Sequence, residues 1–179
     1  VTLSILLLTG GVIWWQGHLI KRQMELNTTM DLYREWNSPE MLRKRREAWK
    51  RAKAGEGWEP DPRTIEDVLE FLEKVSTFEK EGFLSRGLIW ATFGWYVWRY
   101  CFYCREVIGD LRNSWGPTQA DLTLYQDLED SYPKMLRMEL AERNYKRRDG
   151  ERLTENDLER ELRSTRDRFI QAETSLLHD

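Results

Sequence analysis

Leu88-Ile89-Trp90-Ala91-Thr92-Phe93-Gly94-Trp95-Tyr96-Val97-Trp98-Arg99-Tyr100-Cys101-Phe102-Tyr103-Cys104 packs eight aromatic side chains into the fourteen positions from Trp90 to Tyr103. Strict alternation is absent, so the run reads as helix rather than strand, and the spacing predicts one long helix from about Leu88 to Asn113. Trp90, Phe93, Gly94, Val97, Cys101, Cys104 and Ile108 fall on one face; Ala91, Trp95, Trp98 and Phe102 fall on another. A helix apolar on two faces must be covered on both. The first face belongs to the protein's own core. The second implies either a partner or a central position in a bundle.

The flanking sequence is helical too. Asn37-Ser38-Pro39-Glu40 ends one helix and starts another: Ser38 can cap, Pro39 suits the first position, and Glu40 complements the helix dipole. That second helix should reach about Ala54, before a loop through Gly55, Gly57, Pro60 and Pro62. Thr64, with Asp67 three residues on, is expected to open a helix striped by Ile65, Val68, Leu69, Leu72 and Val75, which Gly82 ends. Gly116-Pro117 breaks the chain. A short helix from Asp121 to Tyr132 is expected to stop at Pro133, and another runs to about Arg148 before Asp149-Gly150. Thr154 and Asp157 open the last helix, whose Leu158, Leu162, Thr165, Phe169, Ala172 and Leu176 form a narrow docking seam. No sheet is expected. The fold class is all-α: one N-terminal transmembrane helix and a bundle of five to six helices. Residues 1–22 read as an anchor, 23–150 as the bundle domain and 151–179 as a docking helix and tail.

The anchor is the main departure from an otherwise polar chain. The 179 residues carry a net charge of −3, 33% are charged, and mean hydropathy is −0.71, yet Val1 to Ile20 contains no charged side chain. Twenty helical residues span roughly 30 Å, the thickness of a bilayer's hydrocarbon. Trp14 and Trp15 fall where indoles favour the interface, and Lys21 and Arg22 follow. A cleaved signal peptide would want a positive segment before the run and a small-x-small site after it. Neither is present, so a retained single span is expected. With the basic residues after the span, the N-terminus faces outward and the body lies on the cytoplasmic side of a bacterial inner membrane. Multi-spanning transporters, collagen-like chains and disulfide scaffolds are excluded by composition.

Charge is segregated. Glu40 to Lys53 holds seven basic residues against two acidic ones, and Glu56 to Glu81 holds nine acidic against three basic. Arg43, Lys44, Arg45 and Arg46 either lie against anionic lipid, each near-surface cation contributing on the order of 1 kcal/mol, or pair with the acidic stretch inside the domain. Nucleic acid is disfavoured by the negative total and the lack of a binding motif.

Chemical motifs are sparse. Cys101-x-x-Cys104 lies mid-helix, has no second cysteine pair for zinc and no His after it for haem attachment, and reads as buried packing. His18, beside two tryptophans, is a pigment-ligand candidate; as an interfacial polar residue it needs no ligand. His178 sits in the tail. No Ser-His-Asp set, P-loop, dinucleotide fingerprint or H-E-x-x-H occurs, so no enzyme, metal, cofactor or small-molecule substrate is expected, with bound lipid or a chlorophyll-type pigment the only non-protein contacts considered.

Leu32-Tyr33-Arg34-Glu35-Trp36-Asn37-Ser38-Pro39-Glu40-Met41, then Val75-Ser76-Thr77-Phe78-Glu79-Lys80-Glu81-Gly82, Ser85-Arg86-Gly87-Leu88-Ile89, Phe93-Gly94-x-Tyr96-x-Trp98-Arg99-Tyr100 and Tyr125-Gln126-Asp127-Leu128 occur in order. Together they resemble an uncharacterised bacterial domain-of-unknown-function family over residues 31–132. That resemblance implies a helical body often preceded by one span; Cys101 and Cys104 are not part of its pattern, and it supplies no activity.

The expectation is a non-catalytic accessory subunit of a larger membrane complex, such as a photosynthetic reaction centre with its antenna or a respiratory assembly. Trp90, Trp95, Trp98, Phe102, Leu158, Leu162 and Phe169 would bind partner subunits, and Trp14, Trp15, Lys21, Arg22, Arg43, Lys44, Arg45 and Arg46 would face the membrane and its anionic lipids. The alternative is a stand-alone membrane-tethered sensor or stress and defence effector that homo-oligomerises. A redox or metal enzyme using the two cysteines is the third reading.

Overall fold

A computed structural model describes residues 2–53, 60–115, 123–146 and 152–175, without the side chains of residues 2–8, 51, 53 and 115. The expected breaks at Gly55, Gly116-Pro117 and Asp149-Gly150, and Trp58, Leu176 and His178, lie outside the described residues. Everything described is helix, turn or short connection, with no strand among the described residues.

Helix α1 runs unbroken from Thr2–Trp36 and α2 from Pro39–Lys53. The break between them is built as the sequence indicates: the Met41 N–H donates to Ser38 Oγ (3.2 Å), and the Leu42 N–H to the Ser38 carbonyl (2.9 Å). Helix α3, Pro62–Lys80, starts two residues before the expected Thr64. Asp61 is its cap, accepting from the Arg63 N–H (3.0 Å), and Pro62 occupies the first turn rather than the loop. Gly82 ends it at φ +73°, where only glycine is unstrained.

The expected single helix over 88–113 is instead subdivided. Helix α4, Arg86–Ile89, passes into a π-helical turn at Trp90–Gly94; α5 covers Trp95–Tyr103; a turn at Cys104 precedes α6, Arg105–Trp115. The Trp90 ring lies over the backbone of Gly94, where an added Cβ would sit 2.9 Å from its Cδ1. Glycine there permits the wider turn, and the inserted residue shifts the helical register of the aromatic run.

Helix α7, Gln126–Lys146, continues through Pro133, contrary to the expected stop. Proline removes one ladder bond, but burial of Leu128, Ser131, Met135 and Leu136 holds the helix across it. Its start is capped by another helix: the Glu73 carboxylate accepts from the Asp127 (3.2 Å) and Leu128 (2.6 Å) N–H groups. Helix α8, Glu155–Thr174, opens on the anticipated capping box, Thr154 and Asp157 each accepting from the other's backbone.

Helix α2 packs between α3 and α8, while α7 covers α3 and α5. The core is aromatic and continuous, with Trp36, Trp49, Trp98, Tyr100, Phe93 and Tyr125 all fully buried. The first apolar face of α5 is covered within the chain, and Phe169 of α8 packs on part of the second, where Trp98 is buried and Ala91 and Trp95 stay exposed. The order of residues along the chain could not reveal this, because Phe169 lies 74 positions after Trp95.

Among the described residues no helix is long and apolar enough to cross a membrane. The most apolar part of the expected anchor, Leu3 to Leu8, falls among the residues whose side chains are not described, and Gln16, Gly17 and His18 follow the two tryptophans at once. Helix α1 is a long helix with an apolar first half.

Candidate functional site

Helix α1 divides into an arm and a root. Every side chain from Thr9 to Met24 is exposed, among them Val12, Ile13, Trp14, Trp15, Leu19 and Ile20. Trp14 is 74% exposed, and its ring stacks on His18 at 6.1 Å. The apolar residues lie on all sides of the helix, so this is not the one-sided stripe of a helix lying on a soluble core. A surface of this kind is seldom left bare.

The root begins at Thr29, which is buried, and continues through Leu32 to Trp36, which is completely enclosed. The Trp36 ring meets Phe71 (5.0 Å), Tyr96 (4.8 Å) and Tyr100 (6.0 Å). Over it, 4.2 Å from the ring, lies the guanidinium of Arg45. Arg45 is 1% exposed and donates through Nε and Nη2 to the two oxygens of Glu173, each at 2.8 Å. The Tyr100 hydroxyl donates to the same carboxylate at 2.6 Å. One residue each from α1, α2, α5 and α8 thus closes around one buried ion pair. Burial opposes the charge on Arg45, but the two-pronged carboxylate outweighs it and raises the pKa of the guanidinium. Burial and the neighbouring Glu173 charge push the Tyr100 phenol well above its ordinary range, so it stays a donor. Outside this cluster Lys74 of α3 grips Glu35 of α1 at 2.7 Å. The result is an exposed apolar lever clamped at one end.

The sequence of this clamped lever and its bundle can be placed among known domains. The family described as "Domain of unknown function (DUF4760)" matches residues 3–135. The chain belongs to this family. No curated protein and no solved structure matches it. The DUF4760 match begins far ahead of the resemblance at residues 31–132 and takes in the whole arm. It ends inside α7, yet α8, beyond it, supplies Glu173, Leu158, Leu162 and Phe169 to the core of this DUF4760 chain.

Several expected surface residues prove internal. Trp98, Leu158, Leu162 and Phe169 are buried, so they are core rather than partner surface; Phe169 alone meets Trp49, Tyr100 and Tyr103. Trp90 and Phe102 are half-buried, and only Trp95 stays exposed, at 43%, with Arg99 stacked on it at 4.1 Å. Burial lowers the Arg99 pKa to about 10. Of the residues expected against lipid, Arg45 is the clamp. Lys44 pairs with Glu40 (3.1 Å) and with Asp67 of the acidic stretch (3.2 Å), and Arg46 sits 3.6 Å from Glu47. Trp14, Trp15, Lys21, Arg22 and Arg43 are exposed.

Cys101 and Cys104 are buried; Cys101 Sγ donates to the Leu128 carbonyl (3.4 Å), and burial pushes its thiol far above the reactive range. Among the described residues no His, Cys, Asp and Glu group is arranged to hold a metal. Glu79 is buried and accepts from Arg86 (2.7 Å) and Lys134 (2.8 Å), so it tethers α4 and α7 to α3. Sequence reasoning missed Glu79, Glu73 and Glu173, each one acid among many. Their only signal was an acid at an apolar-stripe position, as with Glu79 four residues after Val75.

Proposed function

We propose that the chain is a non-catalytic accessory subunit of a membrane assembly, with the α1 arm buried among lipid and partner helices and the bundle held against the assembly's cytoplasmic face. The observation that supports this most is the unbroken exposure of Thr9 to Met24 on a helix whose root is enclosed. With Val12, Ile13, Trp14, Trp15, Leu19 and Ile20 exposed around its whole circumference, the arm needs surroundings on every side, which a bilayer or a group of partner helices supplies and a single flat protein surface does not. Lys21 and Arg22, at the end of the apolar stretch, suit the headgroup level of a cytoplasmic leaflet. The clamp gives the arm a fixed direction relative to the body, as a subunit with a set position requires. His18 stands exposed on the arm, and no pigment site enters the proposal. The homo-oligomerising alternative relied on the α8 seam, and Leu158, Leu162 and Phe169 of that seam are occupied inside the fold.

The test is purification of the full chain from native membranes in mild detergent, followed by identification of stoichiometric companions. A defined complex that Ile13→Asp/Trp14→Asp disperses supports the proposal. A lone monomer or homodimer in the same detergent overturns it.

A further inference from the structure

A cleft of about 350 Å³ opens where α5 turns into α6, lined by Phe102, Tyr103, Arg105, Glu106, Arg163 and Arg166. We propose that it binds a phosphate monoester. At the turn of Cys104 (φ −100°, ψ 9°) the aromatic end of α5 passes into the basic start of α6, and both line one hollow. Arg163 and Arg166 stand three residues apart on α8, which puts them on the same side of that helix.

Three arginines and one acidic residue, Glu106, therefore line the hollow. Arg45, Arg112 and Arg143, which are buried or half-buried, and the exposed Arg86 all have acidic partners: Glu173, Glu129, Glu139 with Glu161, and Glu79 respectively. Among the described residues neither Arg105 nor Arg163 has a carboxylate within ion-pair distance; Arg166 lies 4.0 Å from Asp167. Arg105 instead rests between aromatic rings, 5.8 Å from Phe102 and 5.6 Å from Tyr132, which holds its fork without neutralising it. Glu129 faces Arg105 from the adjoining small hollow, but it is bonded to Arg112 at 2.6 Å.

The chemistry selects the ligand. Guanidinium forks match the oxygens of phosphate in pairs, and a dianionic monoester offers three such oxygens. The half-buried Phe102 ring and the volume, within the range of small-molecule sites at roughly 300–1,000 Å³, leave room for an organic group of mononucleotide size. Such an ester is either a free nucleotide or the headgroup of a phosphatidic acid, and both present the same phosphate.

Calorimetric titration of the full chain in mild non-ionic detergent would compare AMP, dihexanoyl phosphatidic acid below its micellar concentration, inorganic phosphate and adenosine. At least one ester should bind with one-to-one stoichiometry, at least tenfold tighter than adenosine and than inorganic phosphate. Preference for AMP assigns a soluble nucleotide; preference for the lipid assigns a headgroup. Arg163→Glu and Arg105→Glu should each weaken the preferred ester at least tenfold, while Arg168→Glu, exposed on the same helix but outside the cleft, should leave it unchanged. Failure of both esters to bind, adenosine or inorganic phosphate binding as tightly, or an equal loss in Arg168→Glu would each overturn the proposal.

Discussion

Arg45 and Glu173 lie 128 positions apart and share two hydrogen bonds of 2.8 Å in the interior of the bundle. The pair joins α2 to the last helix and seals Trp36, the root of α1, beneath it. Removing one partner strands a buried charge, which costs about 3–5 kcal/mol. Arg45→Met and Glu173→Leu should each lower stability by that amount in urea unfolding, whereas the double variant should recover most of it. Equal and additive losses would mean that the two residues are not coupled.

Trp95 and Trp98 separate cleanly. Trp98 is 1% exposed, so Trp98→Ala should cost about 3–5 kcal/mol through the cavity it leaves. Trp95 is open to solvent on one side and rests on Arg99 and Phe169. Its replacement by alanine should cost less than half as much in the same melts, and should leave far-ultraviolet circular dichroism unchanged.

Glu79 makes a pH-dependent tether. Burial raises its pKa, but the Lys134 and Arg86 hydrogen bonds outweigh burial and hold it below the ordinary glutamate range. A carboxyl depressed in the folded state contributes stability above its unfolded pKa of about 4.5 and loses it as pH falls through the folded value. Glu79→Gln should therefore cost about 1.5–3 kcal/mol at pH 7 and progressively less below pH 4.5. Glu73 has the opposite sign. Burial raises its pKa despite two backbone donors, so its stabilising share falls as pH rises past 4.5. The pH slope removed by Glu73→Gln should be the reverse of that removed by Glu79→Gln.

Two glycines give a matched comparison. Gly94→Ala would place a Cβ 2.9 Å from Trp90 and should cost about 1–3 kcal/mol, or displace the indole. Gly87, helical and with nothing within 4 Å of its Cβ position, should gain about 0.4–1 kcal/mol as alanine. Thermal melts of the two variants should move in opposite directions.

Local signals were the ones the sequence displayed. Ser38-Pro39, Gly82 and the Thr154–Asp157 box act within a few residues of themselves, and the helix ends fall where they stand. Pro133 misled because its cost is overcome by burial of Leu128 and Met135, a tertiary effect. The subdivision of the aromatic helix depends on Trp90 closing over Gly94, which periodicity cannot register. Arg45 reads as one of seven cations on a basic helix. What distinguishes it is a carboxylate at position 173, and no property of α2 points there. The same distance hid the fate of the α8 seam. The arm was legible as apolar; that its root is enclosed and clamped was not.

Under the proposed function the α1 arm enters an apolar phase while the clamped bundle stays outside it. Flotation of the full chain with phosphatidylcholine and phosphatidylglycerol vesicles, compared with Ile13→Asp/Trp14→Asp, measures this directly. The unaltered chain should float with the vesicles and resist high salt, and the variant, folded by circular dichroism, should stay at the bottom of the gradient. A folded variant that floats as well as the unaltered chain would contradict it.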